Sequence, residues 1–309
     1  KENIDELSDE DIFPTKTDRD NKIKEIPYYD KNGKWTKYIR PSLSKPRVFI
    51  PVFPGTNCEI DSKRAFEKAG AEVLLQNILN LNPQLLEESI LISEKKIREA
   101  NIIMLPGGFS LGDEPCGSAK YITQYFKNER LKFAIDDFLV ARQGIILGIC
   151  NGFQALIKLG LLPYGNIKSL SEDSPGLTFN SIGRHISTIV KVKKTSNLSP
   201  WLSEINKDEI YNQPISHGEG RFFCDKKIFD DLVKNGQIAS QYIDGSGAAF
   251  NNDFINPNGS FMNVEGITSP DGRIFGKMGH SERIGKNLYK NVPGNYDMKI
   301  FEAGVKYYK

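Results

Sequence analysis

From Arg47 onward, short apolar runs take turns with longer amphipathic stretches. RVFIPVF (47–53) is a nearly continuous apolar run of strand length, as expected of a strand covered on both faces. The turn PGTN follows, then CEIDSKRAFEKAG (58–70), a helical stretch closed by Gly70 at the usual C-terminal position. AEVLLQ (71–76), NIIMLPGG (101–108) and GIILGIC (144–150) read as further strands. PQLLEESILISEKKIREA (83–100), ERLKFAIDDFLVARQ (129–143) and NGFQALIKLG (151–160) read as helices. This alternation implies an α/β fold with a doubly wound, mostly parallel sheet. Past Gly160 it breaks down. LTFNSIGRHISTIVKVKK (177–194) reads as one antiparallel strand of period-two polarity, with QIASQYID and RIFGKMGH as further strands among Gly- and Asn-rich loops. The expected organisation is one α/β domain over 46–290 with antiparallel strands added in its second half, and a tail at 291–309 packing on it.

Residues 1–45 carry 10 basic and 10 acidic residues and no sustained apolar period, too little to offset chain entropy alone. Tyr28, Tyr29, Trp35 and Tyr38 nevertheless suit an extended arm lying on another surface. The segment starts with Lys and its first dozen residues are polar and acidic, which reads as a partial or processed chain without a secretory leader. The whole chain holds 41 Lys plus Arg against 39 Asp plus Glu, a balance that excludes the electrostatic footprint of a general nucleic-acid binder. No apolar run approaches the ~18 residues that cross a bilayer, so no membrane partner is expected. Four cysteines without a CxxC argue against zinc knuckles and redox dithiols, and for a reducing, cytoplasmic setting with no metal.

Two segments place a reactive residue between glycines at ±2: Gly108-Phe109-Ser110-Leu111-Gly112 and Gly148-Ile149-Cys150-Asn151-Gly152. A nucleophile elbow needs a strand before it and a helix directly after it. Ser110 is followed by Asp113, Glu114 and Pro115, a poor helix start, whereas Cys150 has GIILGI behind and GFQALIKLG ahead. A thiol at that helix N-terminus is favoured as thiolate by the dipole and the amide hydrogens. The competing reading is a buried structural cysteine at a tight turn; Cys58 is a weaker candidate, Cys116 and Cys224 weaker still.

A thiolate nucleophile needs a proton shuttle and a carboxylate to orient it. There are three histidines. His280 and Glu282 stand two apart at the end of the apparent strand 273–279, so an extended chain would put them on one face with Ser281 turned away. His217 in SHGEGR also has Glu219 two residues on, and its flanking glycines suggest a ligand-holding loop, so binding is favoured over catalysis there. His185 opens an amphipathic strand and reads as structural. The loop Pro106-Gly107-Gly108 should face the same sheet edge, and amides of Gly108 and Asn151 could form an oxyanion hole. Phosphate motifs fail: Asp113 stands where a P-loop has Lys, and GSGAAF opens no strand-turn-helix unit.

Taken together, GICNGFQ with a later HSE resembles the class I, triad-type glutamine amidotransferases. FPGTNCE (53–59), LPGGFSLGD (105–113), SHGEGR (216–221) and NPNGS (256–260) further resemble the glutaminase domains of phosphoribosylformylglycinamidine synthases. The resemblance spans roughly 46–286. It implies that Cys150 is the nucleophile, His280 the general base and acid, and Glu282 the group orienting the imidazole. Gly108 and Asn151 match the oxyanion positions, Gln154 a glutamine-contacting position, and the His217 loop the region holding the substrate's α-amino and carboxylate groups. It further implies that L-glutamine is hydrolysed in de novo purine biosynthesis and the ammonia passed to an ATP-dependent synthetase domain or subunit. ATP and Mg belong to that synthetase, and no cofactor is expected in this chain. The charged arm would be a linker to a fused synthetase. One departure is visible: the family more often has proline between the triad His and Glu, where this chain has Ser281. An amidotransferase serving another acceptor, or a different cysteine hydrolase on the same fold, is the alternative reading.

Overall fold

The computed structural model describes residues 25–31, 42–110, 118–250 and 252–309. Its strands, in chain order, are β1 (Arg47–Val52), β2 (Glu72–Asn77), β3 (Ile102–Leu105), β4 (Ile145–Ile149), β5 (Gly176–Phe179), β6 (Ile186–Lys194), β7 (Tyr211–His217), β8 (Glu219–Phe223), β9 (Ile238–Ile243), β10 (Val264–Thr268) and β11 (Ile274–Lys277). The main helices are α1 (Glu59–Ala69), α2 (Pro83–Glu99), α3 (Lys120–Phe126), α4 (Glu129–Val140), α5 (Asn151–Lys158), α6 (Lys226–Lys234) and α7 (Ile300–Lys306).

Nine strands make one sheet in the order β2-β1-β3-β4-β11-β10-β9-β6-β7, and β5 pairs with β8 in a separate two-stranded sheet. The first five in that order run parallel, as the strand–helix alternation requires. From β10 to β7 every pairing is antiparallel, so the additions of the second half extend the same sheet. β11 is the hinge of the architecture. It pairs antiparallel with β10 yet parallel with β4, Gly276 opposite Gly148 and Lys277 opposite Ile149. The chain after β11 therefore leaves the sheet at the same edge as the chain after β4.

Local sequence explains the helix ends. Gly70 closes α1 in a left-handed conformation (φ 94°), a backbone that L side chains adopt at a cost. Asn82 caps α2 by accepting the Leu85 N–H at 2.9 Å, with Pro83 in the first turn. β3 and β4 are buried along their whole length, which accounts for their uninterrupted apolar runs. The stretch read as one strand over 177–194 is two: a turn carrying Gly183 at φ 70° separates β5 from β6, and the two join different sheets. Helices α3, α6 and α7 stand outside the regular alternation. α7 seats Phe301 edge-on against Phe66 of α1, ring centroids 4.9 Å apart. Most of the expected 1–45 arm lies outside the described residues. Within it, Ile26 is buried, and Tyr29 pairs by backbone with Thr195 (2.9 Å) and Asn197 (3.1 Å).

Candidate active site

The carboxyl ends of β1, β3, β4 and β11, four neighbours in the sheet, carry the loops 53–58, 106–110, the Cys150 elbow and the 278–282 turn. The strand order reverses at β1, between β2 and β3, and the crevice beyond such a switch point is where open α/β sheets bind ligands. Backbone bonds knit the first two loops: Phe109 N–H donates to Gly55 O at 2.8 Å, and Gly107 O accepts from Asn57 at 3.2 Å and Cys58 at 3.3 Å.

Cys150 sits between β4 and α5 at φ 52°, ψ −108°, a strained conformation for a non-glycine residue. Its amide is fixed by Lys277 O at 2.9 Å, across the β4–β11 pair. The glycines at ±2 have a packing cause. A Cβ on Gly152 would lie 1.9 Å from Leu105 O of β3, and one on Gly148 would lie 2.7 Å from Gly152 O. Only without those carbons can α5 start this close to the sheet.

His280 follows β11 and its N–H donates to Pro214 O at 2.9 Å. The strand ends at Lys277, so His280 and Glu282 lie in a turn instead of on the extended face that the i, i+2 argument assumes. The pair meets all the same: His280 Nδ1 donates to Glu282 Oε1 at 2.6 Å, both side chains buried. The Cys150 side chain lies beside the same imidazole and supports its charge, with Cys150 Sγ 3.8 Å from Ser216 O. Burial works against the imidazolium, but the Glu282 carboxylate and the Cys150 and Cys58 thiols outweigh it and hold His280 well above the ordinary histidine range. Gly107 completes the enclosure. A Cβ there would stand 2.8 Å from His280 Cε1, 3.1 Å from Cys58 Sγ and 3.5 Å from Cys150 Cβ.

The other candidates separate clearly. Cys58 is buried with its sulfur 3.8 Å from His280 Nδ1, and burial pushes its thiol up. Cys58, His280 and Glu282 offer ligand atoms within 4.8 Å of one another, a spacing a soft metal ion could bridge, although the imidazole nitrogen is already engaged by Glu282. Cys224 is half-buried on the edge of β8, its thiol pushed up to about 12 by burial. Ser110 is buried. Cys116 and residues 111–117 lie outside the described residues. Gln154, on α5, accepts from Asn151 Nδ2 at 3.0 Å and donates to Glu219 O, tying the helix to the β7–β8 corner. His185 is exposed, its Nε2 3.0 Å from Ser216 Oγ.

The SHGEGR segment, expected as a loop, is mostly strand. It is a sharp corner in which Gly218 alone separates β7 from β8. Asn180 Oδ1 faces His217 Nδ1 at 3.1 Å, and NPNGS braces the corner, Asn258 Nδ2 donating to Gly220 O at 2.8 Å. His217 Nε2 is buried and has no hydrogen-bond partner among the described residues. Burial first, then the charges of His280 and His185, pushes the His217 pKa down to about 3. The ring stays neutral in the folded protein while an unfolded histidine protonates near 6.5, so stability present above pH 6.5 should be lost as pH falls towards 3. His280 adds nothing to that limb, being protonated in both states below 6.5. At pH 5 the His217 contribution should be about 2 kcal/mol, from 1.36 kcal/mol per unit. His217→Gln should remove about one proton's worth of slope from urea-unfolding free energies between pH 6.5 and 4; an unchanged slope would disprove the assignment.

The fold and this meeting of elbow cysteine, imidazole and carboxylate define a class I glutamine amidotransferase arrangement. Residues 45–308 match the CobB/CobQ-like glutamine amidotransferase domain, and the chain belongs to that family. It is 36% identical over 255 residues to the phosphoribosylformylglycinamidine synthase subunit PurQ of two strains of Methanococcus maripaludis, covering 82% of this chain and 87% and 88% of theirs. Among solved structures it is similar to PurLQS from Thermotoga maritima, with TM-score 0.61 and 28% identity over 86% of this chain and 100% of that one. The glutaminase domain of Trypanosoma brucei CTPS with bound acivicin shares the fold, with TM-score 0.50 and 16% identity over 85% of this chain and 94% of that one. No helix among the described residues is long and apolar enough to cross a membrane.

Sequence reasoning missed Lys277, Glu265 and Gln213, whose buried side chains crowd beneath the His280 turn. The available signal was a lone charge inside each of two otherwise apolar strands, VEGIT and IFGK.

Proposed function

We infer that the chain is the ammonia-producing subunit of a phosphoribosylformylglycinamidine synthase and hydrolyses L-glutamine through Cys150, His280 and Glu282. The Cys150 sulfur attacks the side-chain carboxamide carbon. The oxyanion is held by the Gly108 and Asn151 amides, each such donor contributing on the order of 10²–10³ in rate. His280 passes its proton to the departing nitrogen, so ammonia leaves and a γ-glutamyl thioester remains. Water, deprotonated by the same ring, attacks the thioester and releases glutamate. Glu282 fixes the tautomer by accepting from Nδ1 and favours the imidazolium that forms between the steps. Gln154, which donates to Glu219 O, and the His217 corner to which Glu219 belongs would line the glutamine site. The ammonia would go to a separate synthetase subunit that supplies ATP and magnesium chemistry, with no cofactor in this chain.

The observation that carries this reading is one buried imidazole that donates to a carboxylate at 2.6 Å and lies beside the elbow cysteine. The test is ammonia and glutamate release from L-glutamine by the purified chain, alone and with a cognate synthetase, ATP and formylglycinamide ribonucleotide. Release that rises when all are present supports the assignment. No release in either condition would overturn it, and release that ignores this acceptor would leave a glutaminase serving another one.

A further inference from the structure

The peptide segment that carries His280 is gripped on both sides by a buried ion pair. Lys277 Nζ and Glu265 Oε1 lie 3.3 Å apart with both side chains fully buried. On the N-terminal side of His280, the Gly279 peptide is held at both ends: its N–H donates to Glu265 Oε1 at 2.8 Å, and its carbonyl accepts from Lys277 Nζ at 3.0 Å. On the C-terminal side, Ser281 Oγ accepts from Lys277 Nζ at 3.0 Å and donates to Gln213 Oε1 at 2.6 Å. Gln213 is itself anchored, accepting from Lys277 at 2.9 Å and donating to Tyr296 O at 3.0 Å. Ser240 Oγ donates to the second Glu265 oxygen. Position 279 has no room to spare: a Cβ would meet Gln213 Cβ and Glu265 Oε1, each at 2.9 Å.

We propose that Lys277, Glu265, Gln213 and Ser281 are positioning residues for the triad, a polar clamp that does here what proline between the triad His and Glu would do by stiffness. A buried ion pair is a poor general stabiliser, since desolvation offsets much of the attraction. Its attested use is to fix one arrangement among several, and every acceptor that this cation finds belongs to the His280 turn or braces it. Lys277 also lies close enough to Glu282 for their charges to attract, which ties the clamp to the carboxylate that faces the imidazole. The inference rests on the reading of His280 as the proton shuttle.

The test uses the full chain and the rate at which acivicin, a glutamine-mimicking electrophile, labels Cys150, followed by intact mass across a pH series. Lys277→Met alone would leave Glu265 buried without its cation, so the pair is neutralised together as K277M/E265Q. Misplacing a catalytic group by about 1 Å can cost ~10²-fold. The paired variant should therefore label about 10²-fold more slowly, and Ser281→Ala about 10-fold, with half-saturating acivicin changed less than about 2-fold and the pH profile shifted. Ser281→Pro should label within about 3-fold of the unchanged chain, and adding it to K277M/E265Q should recover about 10-fold, a rescue that a purely structural role would not give. Folded variants with unchanged rates and pH profile would overturn the proposal. Should the paired variant fail to unfold cooperatively, Ser281→Ala and Ser281→Pro decide alone. If acivicin labels nothing even in the unchanged chain, the glutaminase reading fails separately; the low-field proton signal of the His280 Nδ1–H then decides, since the clamp requires it to broaden or move in K277M/E265Q and an unmoved signal would disprove it.

Discussion

Cys150→Ala should reduce glutamine hydrolysis by at least ~10⁴-fold and abolish labelling by acivicin, with the fold unchanged. The size follows from removing the nucleophile itself: when one member of a triad is lost, only oxyanion stabilisation and binding remain, and these supply a residual ~10³–10⁴ over water out of a far larger enhancement. Cys58→Ala makes the contrast. Cys58 Sγ lies 3.8 Å from the same imidazole, but its thiol is pushed up by burial and it has no elbow to lift it towards a substrate. That variant should keep Cys150 labelling; labelling that moved to or depended on Cys58 would relocate the nucleophile. The pair Cys150→Ala and Cys150→Gly separates chemistry from backbone. At φ 52° the alanine keeps the strain of the native residue while glycine relieves it. Cys150→Gly should thus unfold at higher urea than Cys150→Ala, by about 1 kcal/mol. Equal stabilities would mean that the elbow stores no strain.

What could be read from the sequence is what local chemistry decides. The parallel half of the sheet shows in its buried strands and capped helices, and the elbow shows because a strained turn between a strand and a helix needs glycines at fixed offsets. His280 and Glu282 were legible as a pair since two residues' separation brings them together in a turn as well as on a strand, which is why the wrong backbone still led to the right contact. Long-range partners were not legible. Nothing near His217 in sequence announces that Asn180 will meet its ring and bury it, and nothing links Lys277 to Glu265 before β10 and β11 are paired. The break between β5 and β6 does leave a trace, since the apolar alternation slips by one residue between Phe179 and Ile182, but the exposed Ile182 sits in the turn and makes the run look continuous.

Gly152→Ala should be the most damaging single-methyl change in the described structure. The added carbon would stand 1.9 Å from Leu105 O and 2.6 Å from Leu105 C, both backbone atoms of β3. Where the obstacle is the tip of a flexible side chain, a rotamer change relieves it; here either β3 or the start of α5 must move. Overpacking of cores typically costs ~1–3 kcal/mol and occasionally more. Two rigid elements facing each other place this variant at or above the upper end, about 3 kcal/mol, read as a fall in the urea midpoint at unchanged slope. Activity should fall further than stability. α5 begins at Asn151, so the shift that relieves the clash displaces the Asn151 amide and the Cys150 sulfur from the imidazole together. Gly218→Ala is the control. It sits in the β7–β8 corner with nothing within 4 Å of where the added methyl would lie and no positive φ, so its stability should stay within about 0.5 kcal/mol. If Gly152→Ala is tolerated as well as Gly218→Ala, the close approach of α5 to β3 is not what holds the elbow in place.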